Sequence, residues 1–321
     1  MIDDVDIVIA WVDGNDPELQ RKRLEFLESG GHKGADPTRF ENFEEIYFCL
    51  CSIKKNARWV RKIYIVTDQQ VPRALALLEG EDQVFAAKIE VVDHKDIFGG
   101  FNEFLPTFNS ISIGSMLWRI RGLSERFVYF NDDVILCSKT EVSDFFNFWE
   151  PIYRGRWIGS WYEGFWFFKN LIWGLSGSSE NSRRASFKDA QFLAAKKIAG
   201  RRGFFSMGHT PHSARVSTFE MMFAKYERLW RGNLVDRFRS FNQFSAFAAA
   251  RNYDLRHGHG VVTNDLSLVF LRGEADSETR ILEKCKLMES GRYLFGCLNG
   301  LDKLSEDTRE KVLSSVRGIV S

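Results

Sequence analysis

Residues 6–17 read Asp-Ile-Val-Ile-Ala-Trp-Val-Asp-Gly-Asn-Asp-Pro. The apolar, β-branched run from Asp6 to Val12 stops at Asp13-Gly14, which is the composition of a buried strand closed by a tight turn. Asp16 then precedes Pro17. An N-cap acid followed by a proline, whose fixed φ suits the first helical position, marks a helix start. The same strand-then-turn unit recurs at Lys62–Thr67 before Asp68, at Lys88–Val92 before Asp93, and at Arg126–Phe130 before Asn131-Asp132-Asp133. Helical patterns fill the intervals. One covers 42–56, with Phe43, Ile46, Tyr47, Leu50 and Ile53 on one face. Another covers about 73–80, and a third runs from an Asn109 or Ser110 cap to about Arg121. Strands alternating with helices predict an α/β fold with a largely parallel sheet. Ligands bind such sheets in the crevice beyond the carboxyl ends of the strands. All four strands end in an acid, so the expected crevice is acidic and suited to a metal ion.

The pattern weakens beyond about residue 140. Residues 29–39 form a Gly-rich loop, 140–175 are aromatic-rich, 176–206 are basic and polar, and 215–231 and 304–319 have helical patterning. The expected organisation is a single catalytic domain over 1–321. It comprises an α/β core of about 1–140 plus 205–302, an aromatic and basic insertion of about 141–204, and a closing C-terminal helix at 304–319. The chain has 321 residues, 44% hydrophobic and 27% charged, which excludes disordered and collagen-like classes. Its formal charge of +1 argues against nucleic acid as a partner. Five cysteines, an odd number without a CxxC, argue against a disulfide framework or zinc ribbon and for a reducing compartment. Met1-Ile2-Asp3-Asp4 lacks a basic-then-apolar leader pattern, and no run reaches the ~18 apolar residues of a spanning helix. A cytoplasmic protein is therefore expected. Aromatic residues reach 14% and crowd into Trp157–Trp173. That stretch serves as a packing surface, a sugar-stacking platform or a membrane-interface belt. Arg183, Arg184, Lys196, Lys197, Arg201 and Arg202 follow it, as a solvated face or as a contact for an anionic surface.

Asn131-Asp132-Asp133 is the strongest local feature. Two adjacent carboxylates on a turn are hard oxygen ligands for Mg²⁺ or Mn²⁺, which would neutralise a diphosphate. The plainer alternative is a solvated turn. Gly208-His209-Thr-Pro-His212 with Arg215 offers a possible base and a phosphate clamp, or a loop with incidental histidines. Arg237-Phe-Arg239 is either a phosphate fork or surface. His257-Gly-His259 reads as a polar turn. No GxGxxG follows a strand, so a dinucleotide fingerprint is absent.

Together these segments resemble the Stealth family of bacterial capsular-polysaccharide hexose-1-phosphate transferases and the animal lysosomal-enzyme GlcNAc-1-phosphotransferase. The first family block is similar to Asp6–Pro17. The second runs from Arg39-Phe-Glu-Asn-Phe-Glu-Glu45 through Trp59–Asp68 and Leu105–Ser110 to Gly122–Asp133. The third resembles Gly208–His212 with Arg215, and the fourth Phe295-Gly-Cys-Leu-Asn-Gly-Leu-Asp302. Two positions depart from the family pattern: Gly114 stands where Glu is common, and Asn299-Gly300 where Asn-Asp is common. The resemblance implies a Rossmann-like, GT-A-like nucleotide-sugar-transferase fold with an aromatic-rich helical insertion or extension. It implies transfer of a sugar 1-phosphate from a UDP-sugar to a glycan or sugar-phosphate acceptor, with UMP leaving and Mg²⁺ or Mn²⁺ as cofactor. Asp132 and Asp133 would hold the metal, and Arg215 and Arg239 would stabilise phosphate charge. His212, ahead of His209, would take the acceptor proton. Asp13, Gly14, Asp68, Asn109 and Asn131 would position substrate. The alternatives are a conventional glycosyltransferase releasing UDP, and a non-catalytic glycan-binding protein. Peripheral attachment at an anionic membrane is a further expectation.

Overall fold

The computed structural model describes residues 4–30, 45–175, 186–200 and 202–321. The expected loop at 29–39, the start of the 42–56 helix, and Arg183, Arg184 and Arg201 lie wholly or partly outside them. In chain order the first half runs β1 (Val5–Ala10), α1 (Pro17–Gly30), α2 (Glu45–Asn56), β2 (Ile63–Thr67), α3 (Arg73–Glu81), α4 (Gln83–Ala86), β3 (Ile89–Asp93), α5 (His94–Ile97) and α6 (Ser110–Gly114). Next come β4 (Arg126–Asn131), β5 (Val134–Leu136), β6 (Phe146–Asn147), β7 (Glu150–Ile158), α7 (Trp161–Leu175) and α8 (Phe187–Lys197). The remainder is β8 (Phe204–Met207), β9 (His212–Arg215), α9 (Val216–Leu234), α10 (Ala246–Arg256), β10 (Val261–Thr263), β11 (Leu268–Arg272), α11 (Glu278–Glu289), β12 (Phe295–Asn299) and α12 (Glu306–Val320).

The main sheet has the order β3-β2-β1-β4-β9. Its first four strands are parallel, and β9 runs antiparallel on the edge of β4. Both faces are covered. Val8, Val66 and Phe127 point into one core, Ile7, Ile9, Ile65 and Val128 into the other. Burial on both sides is why these strands are continuous apolar runs rather than alternating ones. The fold is a Rossmann-like α/β sheet with added strands. Beyond β4 the chain turns at Asp132-Asp133 into β5, which pairs antiparallel with β12; β12 in turn lies parallel to β11. α11 and α12 cover this small sheet around Ile135, Leu271, Met288 and Val316.

The expected helix from 109 to 121 is shorter. α6 ends at Gly114, and a 3₁₀ turn spans Leu117–Arg119. The indole N–H groups of Trp118 and Trp230 both donate to the Ser115 carbonyl, at 3.0 and 2.8 Å, in place of a continuing helical ladder. The aromatic-rich stretch is divided between β7 and α7. β7 pairs with β6, β8 and β10, and α8 packs in the same apolar cluster as α10.

A buried carboxylate ties the edge strand to the helices behind it. Asp254 of α10 accepts from the Tyr153 hydroxyl at 2.6 Å and the Thr218 hydroxyl at 2.9 Å, and it pairs with Arg215 at 3.0 Å. Removing one partner of such a pair leaves the other charge uncompensated. Arg215→Ala should therefore cost about 3 kcal/mol in urea denaturation. Arg215→Lys, which keeps the charge, should recover part of it.

Candidate active site

The carboxyl edge of the main sheet gathers the strand-end acids, but three of the four are engaged in local structure. The Asp13 side chain accepts from the Asn15 N–H, while its own N–H and carbonyl are bridged by the Gln70 amide at 2.9 and 3.0 Å. The Gly14 carbonyl accepts from Gln20, and Asp16 caps α1 through the Leu19 N–H. Asp68 pairs with Lys22 at 3.1 Å, with both side chains mostly covered. Asp93 caps α5 and also accepts from the Gln69 N–H. His94 is buried next to Asp68 and Asp93. Burial outweighs their charge and lowers its pKa, and its Nδ1 has no hydrogen-bond partner.

Asp132 and Asp133 are different. They lie in the turn between β4 and β5, and β12 closes over them. The Leu298 N–H donates to the Asp133 carbonyl at 2.8 Å, and the Cys297 thiol approaches Asp133 Oδ2 at 3.6 Å. Asp133 Oδ1 is buried without a hydrogen-bond partner. Burial raises both carboxyl pKa values. For Asp132 the charges of Asp133 and Glu45 add to the rise; for Asp133 the nearby His209, the Cys297 thiol and the Asn299 side chain oppose it. Two destabilised carboxylates, one with an unpaired oxygen, fit a divalent cation. Mg²⁺-type ions take one or two carboxylates and fill the remaining positions with water and phosphate oxygens. Among the described residues no group of three or more His, Cys, Asp or Glu is placed to hold a metal ion, so such an ion would be shared with a bound phosphate. Beside the pair, Asn131 Oδ1 accepts from the Tyr129 hydroxyl at 2.8 Å, so the Asn131 amide nitrogen is the donor end of this side chain.

The two histidines are placed unequally. His212 opens β9 directly opposite Tyr129, with its ring centroid 6.1 Å from that of Tyr129 and 6.0 Å from that of Phe247. Burial, then the charges of Arg251 and His209, push its pKa down to about 3. His209 is clamped between Phe187 and Phe270, with ring centroids at 4.9 and 4.6 Å. Burial lowers its pKa too, but the Asp133 charge pulls the other way. His209 is thus the histidine in electrostatic register with the acidic turn.

Arg239 reaches Ser110 Oγ at the start of α6, and its charge is felt at Tyr129. Its segment is a loop, not a helix, and Asn109 holds it. The fully buried Asn109 amide donates to the carbonyls of Asp236 at 2.8 Å and Phe238 at 2.9 Å and to Gln243 Oε1 at 2.8 Å, while its oxygen caps α6. Asn109 is therefore a positioning residue rather than a contact for substrate. Arg215 does not join the acids. It pairs with Arg126, five residues back along β4 from Asn131, and a strand rises ~3.3 Å per residue. That puts its backbone near the far end of the sheet, and its guanidinium is taken by Asp254. Gly114 is buried on α6 and faces Phe247, where an added Cβ would make ordinary contact at 3.9 Å. The contributions of Cys297, Asn299, Tyr129, Ser110 and the Phe187–Phe270 clamp were not expected from the sequence. Block four, at 295–302, was the one signal that pointed toward the first two.

Stealth protein conserved region 1 matches residues 3–31, and conserved region 2 matches residues 39–151. The chain carries two Stealth conserved regions. An exopolysaccharide phosphotransferase of Streptomyces coelicolor is 33% identical over 298 residues, covering 92% of this chain and 46% of the relative. A capsular polysaccharide phosphotransferase of Actinobacillus pleuropneumoniae is 40% identical over 147 residues, 44% of this chain and 38% of the relative. The chain thus spans less than half the length of these two curated relatives. Among solved structures, the galactosyltransferase LgtC with donor and acceptor sugar analogues overlaps 97% of this chain and 95% of its own, at 12% identity and a TM-score of 0.46.

The raised carboxyl pKa values have a stability consequence. Without metal, the folded chain retains protons that the unfolded chain has released above its ordinary carboxylate range. Stability therefore falls as pH rises from about 4 through the raised values. Asp132→Asn should stabilise the metal-free protein at neutral pH by about 0.5–2 kcal/mol, the usual gain on relieving a strained functional site. It should also flatten the pH dependence and abolish stabilisation by Mn²⁺. Calorimetric melting at several pH values, with and without Mn²⁺, reads all three.

Proposed function

We propose that the chain transfers a sugar 1-phosphate from a UDP-sugar to a sugar hydroxyl, forming a phosphodiester in capsular or cell-surface polysaccharide and releasing UMP. The observation that carries this reading is the Asp132-Asp133 turn, with its unpaired Asp133 oxygen, set beside His209 in a chain with Stealth conserved regions 1 and 2.

In the reaction the acceptor hydroxyl oxygen bonds to the phosphorus that carries the donor sugar. The bond from that phosphorus to the UMP oxygen breaks, and the acceptor proton goes to a base. His209 is the base in this scheme: its ring is fixed by Phe187 and Phe270, and the Asp133 charge stabilises the imidazolium once formed. His212, with its pKa near 3, is too weak a base for a sugar hydroxyl and acts as part of the wall. Arg239 meets phosphate oxygens, steadied by Ser110 Oγ. The Asn131 amide donates to a phosphate or hydroxyl oxygen. The Asp13-Gly14 turn and the Asp68–Lys22 pair, at neighbouring strand ends, frame the nucleotide. Bound at Asp132 and Asp133, Mg²⁺ or Mn²⁺ would neutralise diphosphate charge.

The test is nucleotide product analysis with a panel of UDP-sugars and glycan acceptors. UMP release supports attack at phosphorus; UDP release would reassign the chain to attack at the anomeric carbon. EDTA should abolish turnover and Mn²⁺ or Mg²⁺ restore it. His209→Ala should lower kcat by roughly 10²–10⁴-fold with little change in donor affinity, the range for loss of a general base. His212→Ala should cost far less. Arg239→Ala should weaken donor binding and rate together, and Arg239→Lys should rescue only partly, lacking the guanidinium fork.

A further inference from the structure

The aromatic stretch 157–173 has two environments. Trp157 lies in β7, edge-on to Phe205 at 5.4 Å. α7 holds the rest, and its inner side is well packed. Tyr162 is buried and bonded to Asp189 at 3.0 Å, and Trp166 stacks on Phe241 at 5.5 Å. The outer side has no such cover among the described residues. Trp161, Phe165, Phe167, Phe168, Leu171 and Ile172 are each more than half exposed, and Leu175 is 80% exposed. At 3.6 residues per turn these side chains fall on one arc of about 160° with no charge inside it. Soluble surfaces seldom expose a continuous apolar patch of that kind without a partner.

Charge borders the arc. The Lys188 ammonium sits over the rings of Trp161 and Tyr162, at 5.8 and 4.8 Å. Lys169 pairs with Asp189, and Lys196 and Arg202 share Glu163. Four cations against two carboxylates leave the rim positive. A second copy docking arc to arc would bring two positive rims together. A glycan platform needs polar groups among its rings; these border only the Trp161–Phe167 end of the arc, where Ser160, Glu163, Lys196 and Arg202 line a pocket with Trp161, Trp166 and Phe167, and Phe168, Leu171, Ile172 and Leu175 lie outside it. α7 is about 22 Å long, short of the ~30 Å hydrocarbon core. Among the described residues no helix is long and apolar enough to cross a membrane. Helices with aromatic apolar faces and basic borders lie in the plane of the bilayer surface.

We propose that α7 is an interfacial anchor that lays its Trp161–Leu175 arc into an anionic phospholipid surface, with Lys169, Lys188, Lys196 and Arg202 at the headgroups. This inference stands independently of the reaction proposed above. The experiment uses the whole chain with vesicles of phosphatidylcholine alone or mixed equally with phosphatidylglycerol, at low salt. Co-sedimentation should be about tenfold or more stronger on the anionic vesicles, since each basic residue near such a surface is worth about 1 kcal/mol. It should weaken as salt rises. Phe168→Ser with Ile172→Ser, both at exposed positions, should abolish binding while leaving the circular dichroism and melting of the chain unchanged. Lys188→Glu with Lys196→Glu should remove the preference for anionic lipid. Brominated acyl chains should quench tryptophan emission in the parent and not in the Phe168/Ile172 variant. The proposal is overturned if the parent binds neither vesicle, or if the Phe168/Ile172 variant binds like the parent. It is also overturned if the parent is a dimer that ignores vesicles and that variant is a monomer, for the arc is then a self-association face.

Discussion

Strand β4 has neighbours of opposite direction, β1 parallel on one side and β9 antiparallel on the other. The working edge of the protein follows from that arrangement. The parallel neighbours bring their carboxyl ends, with Asp13, Asp68 and Asp93, to the level of Asn131-Asp132-Asp133. The antiparallel neighbour starts where they end, so it delivers its first residue, His212, to the same side and carries its last, Arg215, away. One reversal of strand direction thus sets the 208–212 end of the segment beside the acidic edge, where His209 feels the Asp133 charge, and leaves Arg215 as a structural ion pair with Asp254.

The acidic turn is costly for the fold. Burial disfavours the charged forms of Asp132 and Asp133, repulsion from Asp133 and Glu45 adds to it at Asp132, and Asp133 Oδ1 has nothing to accept from. A packed interior satisfies its polar atoms almost everywhere else. An unpaired oxygen at this position fits a cation or a hydrogen-bond donor. His209 is held flat between two phenyl rings beside this turn.

The four parallel strands and the helix caps were legible in the sequence because they are local. Apolar runs with both faces buried need no knowledge of the rest of the chain, and Asp16-Pro17 carries its own geometry. The doublet Asp132-Asp133 was legible for the same reason. Partners that arrive from far along the chain were not. Arg215 looked like a companion of His212 by spacing, yet three residues of extended strand and a reversed direction send it to the other end of the sheet. Asn109 reads from the sequence as a helix cap and a substrate-positioning amide; the cap is local, but its three hydrogen bonds to distant backbone and side-chain groups appear only once 236–243 folds over it. The 109–121 helix failed because two indoles captured one carbonyl, a tertiary contact that local propensity does not contain.

The closure of β12 over the acidic turn carries a consequence for how the chain acquires its site. Cys297 and Asp133 are 164 positions apart, and the Leu298 amide that fastens the turn comes from the same late strand. Pairings of such long range must overcome the entropy of closing a large loop before any contact rewards them. The parallel sheet around β1, β2 and β3 has nearer partners and can form while the chain is still being synthesised. The pocket around Asp133 waits for residues 295–299 to emerge, so the sheet is old by the time the pocket is born.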